Sequence, residues 1–186
     1  SFEDNEIEEE RKLNIQAKSY NFLATFQYPA KMKNNKVLMK DHNMWYTKPG
    51  LRKPVPVSPK QKMVGGASYG DLAATNYAKD YNATLIGEED VKNESCFVFD
   101  LVANTDDATY DKIKYWVSKN RTVGLKAKYY SVSGKLLKEA YFEYEHVVGQ
   151  NTNQQRPFIS KMIIYDKLIE RNKTHLIYSE PTITEI

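Results

Sequence analysis

Three histidines, one cysteine and a scatter of carboxylates are the residues on which a reaction could be built, and their spacing argues against one. His42, His146 and His175 lie far apart, with no H-E-x-x-H or comparable ligand spacing between them, so they read as ordinary surface or strand histidines and no metal is expected. Cys96, the only cysteine, adjoins Phe97 and Val98 in a strand pattern, where a free thiol behaves as a small buried hydrophobe. The sequence names no base that would activate it, and a lone cysteine excludes an intramolecular disulfide. Gly65-Gly66 ahead of a helical pattern invites comparison with a phosphate loop, since helix amides bind anions. It lacks both the G-K-S/T ending and the G-x-G-x-x-G spacing, so the pair reads as a joint. Glu143 and Glu145 share one strand face opposite Phe142 and Tyr144 and read as the solvated side, not an acid and base pair. Glycosylation patterns begin at Asn82, Asn93, Asn120 and Asn172, and they matter only in a secretory eukaryotic chain. Neither enzyme activity nor a cofactor is expected.

The elements that must hold these residues are strands. Fourteen tyrosines, seven phenylalanines and two tryptophans suit a half-buried pleated surface. Residues 1–10 are acidic and without apolar period, with strand character beginning near Arg11. Over residues 20–28, Tyr20, Phe22, Ala24, Phe26 and Tyr28 alternate with polar residues, which predicts an antiparallel strand with one dry face. Shorter strands follow at 36–40 and 44–47. Pro54, Pro56 and Pro59 restrict residues 51–59 to an edge strand or extended arm.

Beyond the glycine pair, Ser68 with Asp71 fits a capping box, and Tyr69, Leu72, Ala73 and Tyr77 share a helical face. The spacing predicts a helix of about three turns ending before Asn82, the one convincing helix in the chain. Strands are then expected at 83–89, 94–103, 112–119, 123–130, 136–148, 158–165 and 174–179. The run 112–119 is read as strand because Ile113, Tyr115 and Val117 alternate with Lys112, Lys114 and Trp116. Nine or ten strands, nearly all joined by hairpins, imply a mostly β chain: one large curled antiparallel sheet with a short helix over it.

At 186 residues the expectation is a single domain, 1–186. Its 27 basic and 24 acidic residues, net +3, are scattered and leave no footprint for nucleic acid. No run approaches the roughly 18 apolar residues of a membrane helix, and the first residues do not form a leader. Either the chain is cytosolic or a leader precedes this numbering. An aromatic sheet face covered by one short helix and a stiff arm has two readings: a core packed on itself, or a cavity for an apolar ligand.

Specific runs carry a family resemblance. Met44-Trp45-Tyr46, Pro49-Gly50-Leu51-Arg52-Lys53-Pro54, Tyr69-Gly70-Asp71-Leu72-Ala73, Thr109-Tyr110-Asp111-Lys112-Ile113, Trp116-Val117, Tyr129-Tyr130-Ser131, Gly134-Lys135 and Pro157-Phe158 to Met162 occur in an order that resembles the bacterial outer-membrane lipoprotein-sorting proteins, relatives of LolA. The resemblance spans about residues 19–178. It implies an incomplete antiparallel barrel around a hydrophobic cavity with helices as a lid, in an exported, periplasmic protein that carries lipoprotein acyl chains or other lipids. It implies partners too: lipid or acyl chains, and an inner-membrane transporter of the RND or MMPL type, the chain itself being monomeric. The family opens with a leader, an amphipathic helix and first strands that this sequence does not show, so one lid helix is expected to be missing. The expected ligand-binding residues are Phe22, Phe26, Phe97, Phe99 and Phe142 on the sheet, with Leu72 and Tyr77 closing over them and Gly65-Gly66 as the hinge. A second expectation is a sensor or scaffold module of the same fold that acts through a protein partner.

Overall fold

The structure is a computed structural model that describes residues 7–18, 20–73, 77–148, 155–169, 172–179 and 182–183. Apolar alternation builds nearly all of it as strand. The elements are β1 (Ile7–Lys18), β2 (Asn21–Tyr28), β3 (Lys36–Lys40), β4 (Asn43–Thr47), β5 (Val55–Val57), β6 (Lys62–Val64), β7 (Ala67–Ser68), β8 (Tyr81–Val91) and β9 (Glu94–Ala103). They continue as β10 (Lys112–Ser118), β11 (Gly124–Tyr130), β12 (Leu136–Glu143), β13 (His146–Val148), β14 (Arg156–Phe158), β15 (Lys161–Asp166), β16 (Asn172–Tyr178) and β17 (Thr182–Ile183).

Thirteen of these form one sheet in the order β5-β4-β3-β2-β1-β16-β15-β12-β11-β10-β9-β8, with β17 beside β1. The edges β5 and β8 do not pair, so the sheet is an incomplete barrel, as expected. Short turns set its register: Asp41 and His42 both have positive φ between β3 and β4, as do Lys92 and Asn93 between β8 and β9, the backbone that two-residue hairpins need. Pro56 lies in the edge strand β5, where its missing donor breaks no interior ladder.

The structure corrects the meander in three places. β1 pairs with β16 in parallel, Ile7 opposite Asn172 through Leu13 opposite Tyr178, so the first long strand lies against the last long one. The expected strand 136–148 divides into β12 and β13, and 158–165 into β14 and β15. The cause is a pinch at Ser160, whose N–H donates to the Glu143 carbonyl at 2.8 Å while its Oγ accepts the Glu145 N–H at 3.1 Å. Finally, the three-turn helix is replaced by a five-residue 3-10 turn, Tyr69–Ala73. Residues 74–76 lie outside the described residues, and β8 begins at Tyr81. The capping contact forms, the Ser68 N–H donating to Asp71 Oδ2 at 2.7 Å. The same carboxylate is drawn to the barrel wall by Tyr110, however, and Gly70 lies so close to Thr109 that no Cβ fits between them.

The main core lies on the concave face, where Leu13, Phe26, Ile113, Met162, Ile164 and Leu176 are fully buried. A second, smaller cluster lies on the convex face: Val91, Cys96, Val98, Trp116 and Leu125. The far end of the β8–β9 hairpin supplies its first three members, so β9 is buried on alternate residues of both faces and not on one alone.

Candidate functional site

The strands point one row of every pleat into the concave face, and the chain between β5 and β8 returns to cover it. The hairpin β6–β7 and the 3-10 turn after it insert there, burying Val64, Ala67 and Leu72 in the main core. This hairpin forms its own two-stranded sheet and, among the described residues, takes no ladder bond from the large one. Side-chain bonds attach it instead. The Gly66 N–H donates to Thr174 Oγ1 at 2.9 Å, and Tyr110 donates its hydroxyl hydrogen to Asp71 Oδ1 at 2.6 Å.

Lys138, on β12, completes the attachment. Its ammonium lies 2.9 Å from Ser68 Oγ, 2.8 Å from the Tyr110 hydroxyl and 3.3 Å from Asp71 Oδ2, which uses its three donors. Asp71 is 1% exposed. A carboxylate so buried needs both its cation and its hydrogen bonds, and it has them.

Around this network the face is lined with tyrosine. Tyr110 stacks on Tyr129 with ring centres 4.2 Å apart, the Tyr129 and Tyr77 hydroxyls lie 2.8 Å apart, and Tyr77 meets Tyr115 edge-on. Burial pushes the hydroxyls of Tyr77, Tyr110 and Tyr129 well above the ordinary tyrosine range, with the Asp71 charge adding to the effect. Burial also raises Tyr81 to about 12, against the hydrogen bond it donates to the Tyr110 carbonyl at 2.9 Å. These groups stay protonated at neutral pH and serve as hydrogen-bond donors, not as bases.

Of the ligand-binding residues expected from the sequence, Phe22, Phe26, Leu72 and Phe142 fall in the one buried cluster, and Tyr77 and Phe99 pack against it. Phe97 is half-buried at the rim, edge-on to Phe99 and beneath the Lys119 ammonium. Sequence reasoning missed Tyr110, Lys138 and Thr174, which hold the inserted segment, and Tyr129, which stacks on Tyr110. A charged residue on a strand face carries no mark of its partner until the chain is folded.

The cleft beside Tyr77, His42 and Tyr81 has a volume of about 50 Å³, well below the roughly 300–1,000 Å³ of a small-molecule site. Among the described residues, those of the concave face pack against one another in one core. Nor does Gly65-Gly66 form a loose joint. Gly65, at φ +50°, makes the tight turn of the inserted hairpin, and a side chain there would strike Thr174.

The histidines stand in three separate places. His42 Nε2 lies 2.7 Å from Asp80, His146 donates to the Tyr178 carbonyl at 2.8 Å, and His175 lies 3.6 Å from Glu8. The first contact ties the β3–β4 turn to the segment entering β8, bridging the two sides of the open sheet.

Comparison with known proteins locates this architecture. The chain is similar to the crystal structure of a LolA superfamily protein from Nitrosomonas europaea, with 28% identity and TM-score 0.72 over 89% of this chain and 73% of that one. Two further solved structures share the fold at lower identity. One is described as an outer membrane lipoprotein-sorting protein domain from Vibrio parahaemolyticus (18%, TM-score 0.68), the other is a DUF1329 family protein from Desulfovibrio piger (21%, TM-score 0.67). Each alignment covers 82% of this chain and 66% of the other. None of the curated proteins matches. A family model whose description reads "Uncharacterized protein" matches residues 18–186; the chain belongs to that family, and its open, strand-built barrel is the LolA-like fold.

Proposed function

We propose that this chain is a non-enzymatic lipid-binding protein of the bacterial envelope, which takes an acyl chain of a lipoprotein, or another lipid, against the concave face of its sheet. One observation carries the reading. The cover of that face, the β6–β7 hairpin and its 3-10 turn, is attached by side-chain bonds to Thr174, Tyr110 and Lys138 and, among the described residues, by no strand pairing to the large sheet. Such a cover lifts without breaking a ladder. Once it lifts, Phe22, Phe26, Phe99 and Phe142 face the vacated space, with Phe97 at the rim and Leu72 and Tyr77 on the displaced side. An acyl chain laid there is stabilised by about 25 cal/mol per Å² of apolar surface removed from water, less the cost of ordering it.

A periplasmic location and hand-over to or from an inner-membrane transporter of the RND or MMPL type belong to the same proposal. The LolA superfamily likeness and the lipoprotein-sorting description of a structural neighbour support the class of cargo. A second reading, a sensor or scaffold that works through a protein partner, is favoured by the packed core of the concave face and its cleft of only about 50 Å³.

Native mass spectrometry of the protein purified gently from the source membrane fraction, followed by titration with a fluorescent fatty acid, separates the two. Bound lipid, or acyl uptake that rises in Asp71→Asn, supports the carrier. No lipid and no uptake in either protein overturns it, and the scaffold reading then predicts a stoichiometric membrane partner on cross-linking.

A further inference from the structure

The convex face holds a second feature that the concave-face reading does not use. Cross-strand register sets two adjacent rows across it. One runs Lys114, Lys128, Glu139, Tyr165, Lys173; the other runs Trp116, Lys126, Tyr141, Ile163, His175. Lysine and aromatic side chains therefore lie side by side across five strands, β10, β11, β12, β15 and β16. Lys114 and Lys128 lie directly opposite each other, an arrangement of like charges that destabilises a sheet.

The far end of the β8–β9 hairpin borders these rows, and between them lies an open groove of about 490 Å³, lined by Asp90, Val91 and Lys92 on one wall and by Lys126, Glu139, Tyr141, Ile163, Tyr165 and Lys167 on the other. That volume falls within the range of small-molecule sites. Tyr141 and Tyr165 meet edge-on in the groove, ring centres 6.1 Å apart. Lys92 and Lys126 lie 5.2 and 5.6 Å from the Tyr141 ring, and Lys167 lies 5.8 Å from that of Tyr165.

Charge in the groove is unevenly matched. Glu139 alone answers two lysines, Lys126 at 3.7 Å and Lys167 at 3.8 Å, while accepting the Tyr141 hydroxyl at 2.7 Å. The other carboxylate, Asp90, accepts the Ser95 hydroxyl at 2.9 Å. Three lysines thus line the groove against two carboxylates, one of which already accepts a hydroxyl. A carboxylate shared by two ammonium groups leaves both with unused donors, and the tyrosine rings offer flat apolar surface beside them.

We propose that this groove is a binding site for a phosphate-bearing ligand, its phosphate held by Lys92, Lys126 and Lys167 and its organic part resting on Tyr141 and Tyr165. The chemistry is shared by soluble phosphorylated sugars and by phospholipid headgroups, and the test distinguishes these sources. Nothing in it requires the concave face to accept a lipid.

The test is titration of the whole protein with inorganic phosphate, glucose 6-phosphate and glucose, followed by tyrosine fluorescence and calorimetry, in parallel with flotation on vesicles of phosphatidylcholine with or without phosphatidylglycerol. The comparison protein is Lys92→Gln/Lys167→Gln, both positions being solvent-facing and outside either core; circular dichroism checks its fold. Each lost charged hydrogen bond weakens binding by roughly 10- to 100-fold. Glucose 6-phosphate bound more tightly than glucose, and weakened at least tenfold in the double variant, assigns a soluble phosphate ligand. Flotation only with phosphatidylglycerol, lost in the same variant, assigns a headgroup. Equal behaviour of the two proteins in every arm, equal binding of glucose and its phosphate without anionic flotation, or no binding at all overturns the proposal.

Discussion

Tyr110 donates its hydroxyl hydrogen to Asp71 at 2.6 Å, and with that bond the segment covering the concave face is tied to the barrel wall. Lys138 and the Ser68 N–H complete the shell of a carboxylate that is 1% exposed. Removing one member of a buried pair leaves its partner uncompensated and costs about 3–5 kcal/mol. Asp71→Ala is therefore expected to lower the stability read from a urea midpoint by that order. A change under about 0.5 kcal/mol, the size of an ordinary surface substitution, would mean that the network contributes nothing to holding the cover.

The glycine pair tests whether this cover turns on a joint or is packed in place. Gly65 has φ +50°, and an added Cβ would collide with Thr174 and stand 3.1 Å from Glu9 Cγ. Gly50 has φ +92° with open space around it. Gly50→Ala is expected to cost about 1–2 kcal/mol in backbone strain alone, and Gly65→Ala clearly more, with part of the difference recovered when Thr174→Ala is added. Thermal midpoints of the three proteins decide it; equal losses at the two glycines would restore the hinge.

Cys96 reports on the opposite face. The residue lies on β9 and is fully buried in the cluster that holds Trp116, and burial, with the nearby Glu94 charge, raises its thiol above the ordinary range. A buried thiol with little thiolate is inert. Ellman's reagent should therefore leave the native protein unlabelled and react fully in denaturant. Rapid native labelling would show that the hairpin opens readily.

Alkaline pH should act through the tyrosines. Burial raises Tyr81 to about 12, and burial with the Glu139 contact raises Tyr141 to about 12. An unfolded tyrosine titrates near 10. A folded pKa above the unfolded one means that the stability from the protonated group is fully present below about pH 10 and lost as pH rises through about 12. Tyrosinate absorbance is expected to rise late, together with the loss of far-ultraviolet circular dichroism. A main titration step complete by pH 11 with the fold intact would contradict the packing described for these rings.

Glu139 moves the other way at low pH. Burial raises its carboxyl, but the Tyr141 hydroxyl and Lys126, Lys167 and Lys128 outweigh it and leave it below the usual carboxylate range. Its contribution is present above the unfolded carboxylate value and is lost as pH falls through the lower folded value. Glu139→Gln is expected to flatten the acid limb of the stability profile below about pH 4.5. An unchanged acid limb would show that the carboxylate is not held by those lysines.

Much of the sheet was legible in the chain itself. The alternation of Phe22, Ala24 and Phe26, the strand over Lys112–Ser118, the turn around Lys92-Asn93 and the edge position of Pro56 all follow from local chemistry: pleat period, turn residues and a missing donor. Phe22, Phe26 and Phe142, expected to line a cavity, were legible as the inward row of the sheet for the same reason, whereas Leu72 was read from a helical face and is buried from a 3-10 turn. The length of β1, the parallel pairing of β1 with β16 and the burial of Cys96 and Val98 were not. Each depends on a partner brought from elsewhere in the chain.

The sequence alone determined that this protein is a curled, aromatic-faced sheet with no reaction motif, because side-chain alternation and turn preference act over a few residues. Only the tertiary structure decided what covers the concave face. Asp71 reads locally as a helix cap, and it performs that bond to Ser68. Its other oxygen is taken by Tyr110, 39 residues away, and its charge is answered by Lys138, 67 residues away. A buried carboxylate goes where its cation and donors are, and that geometry seats the hairpin and the 3-10 turn Tyr69–Ala73 against the barrel wall.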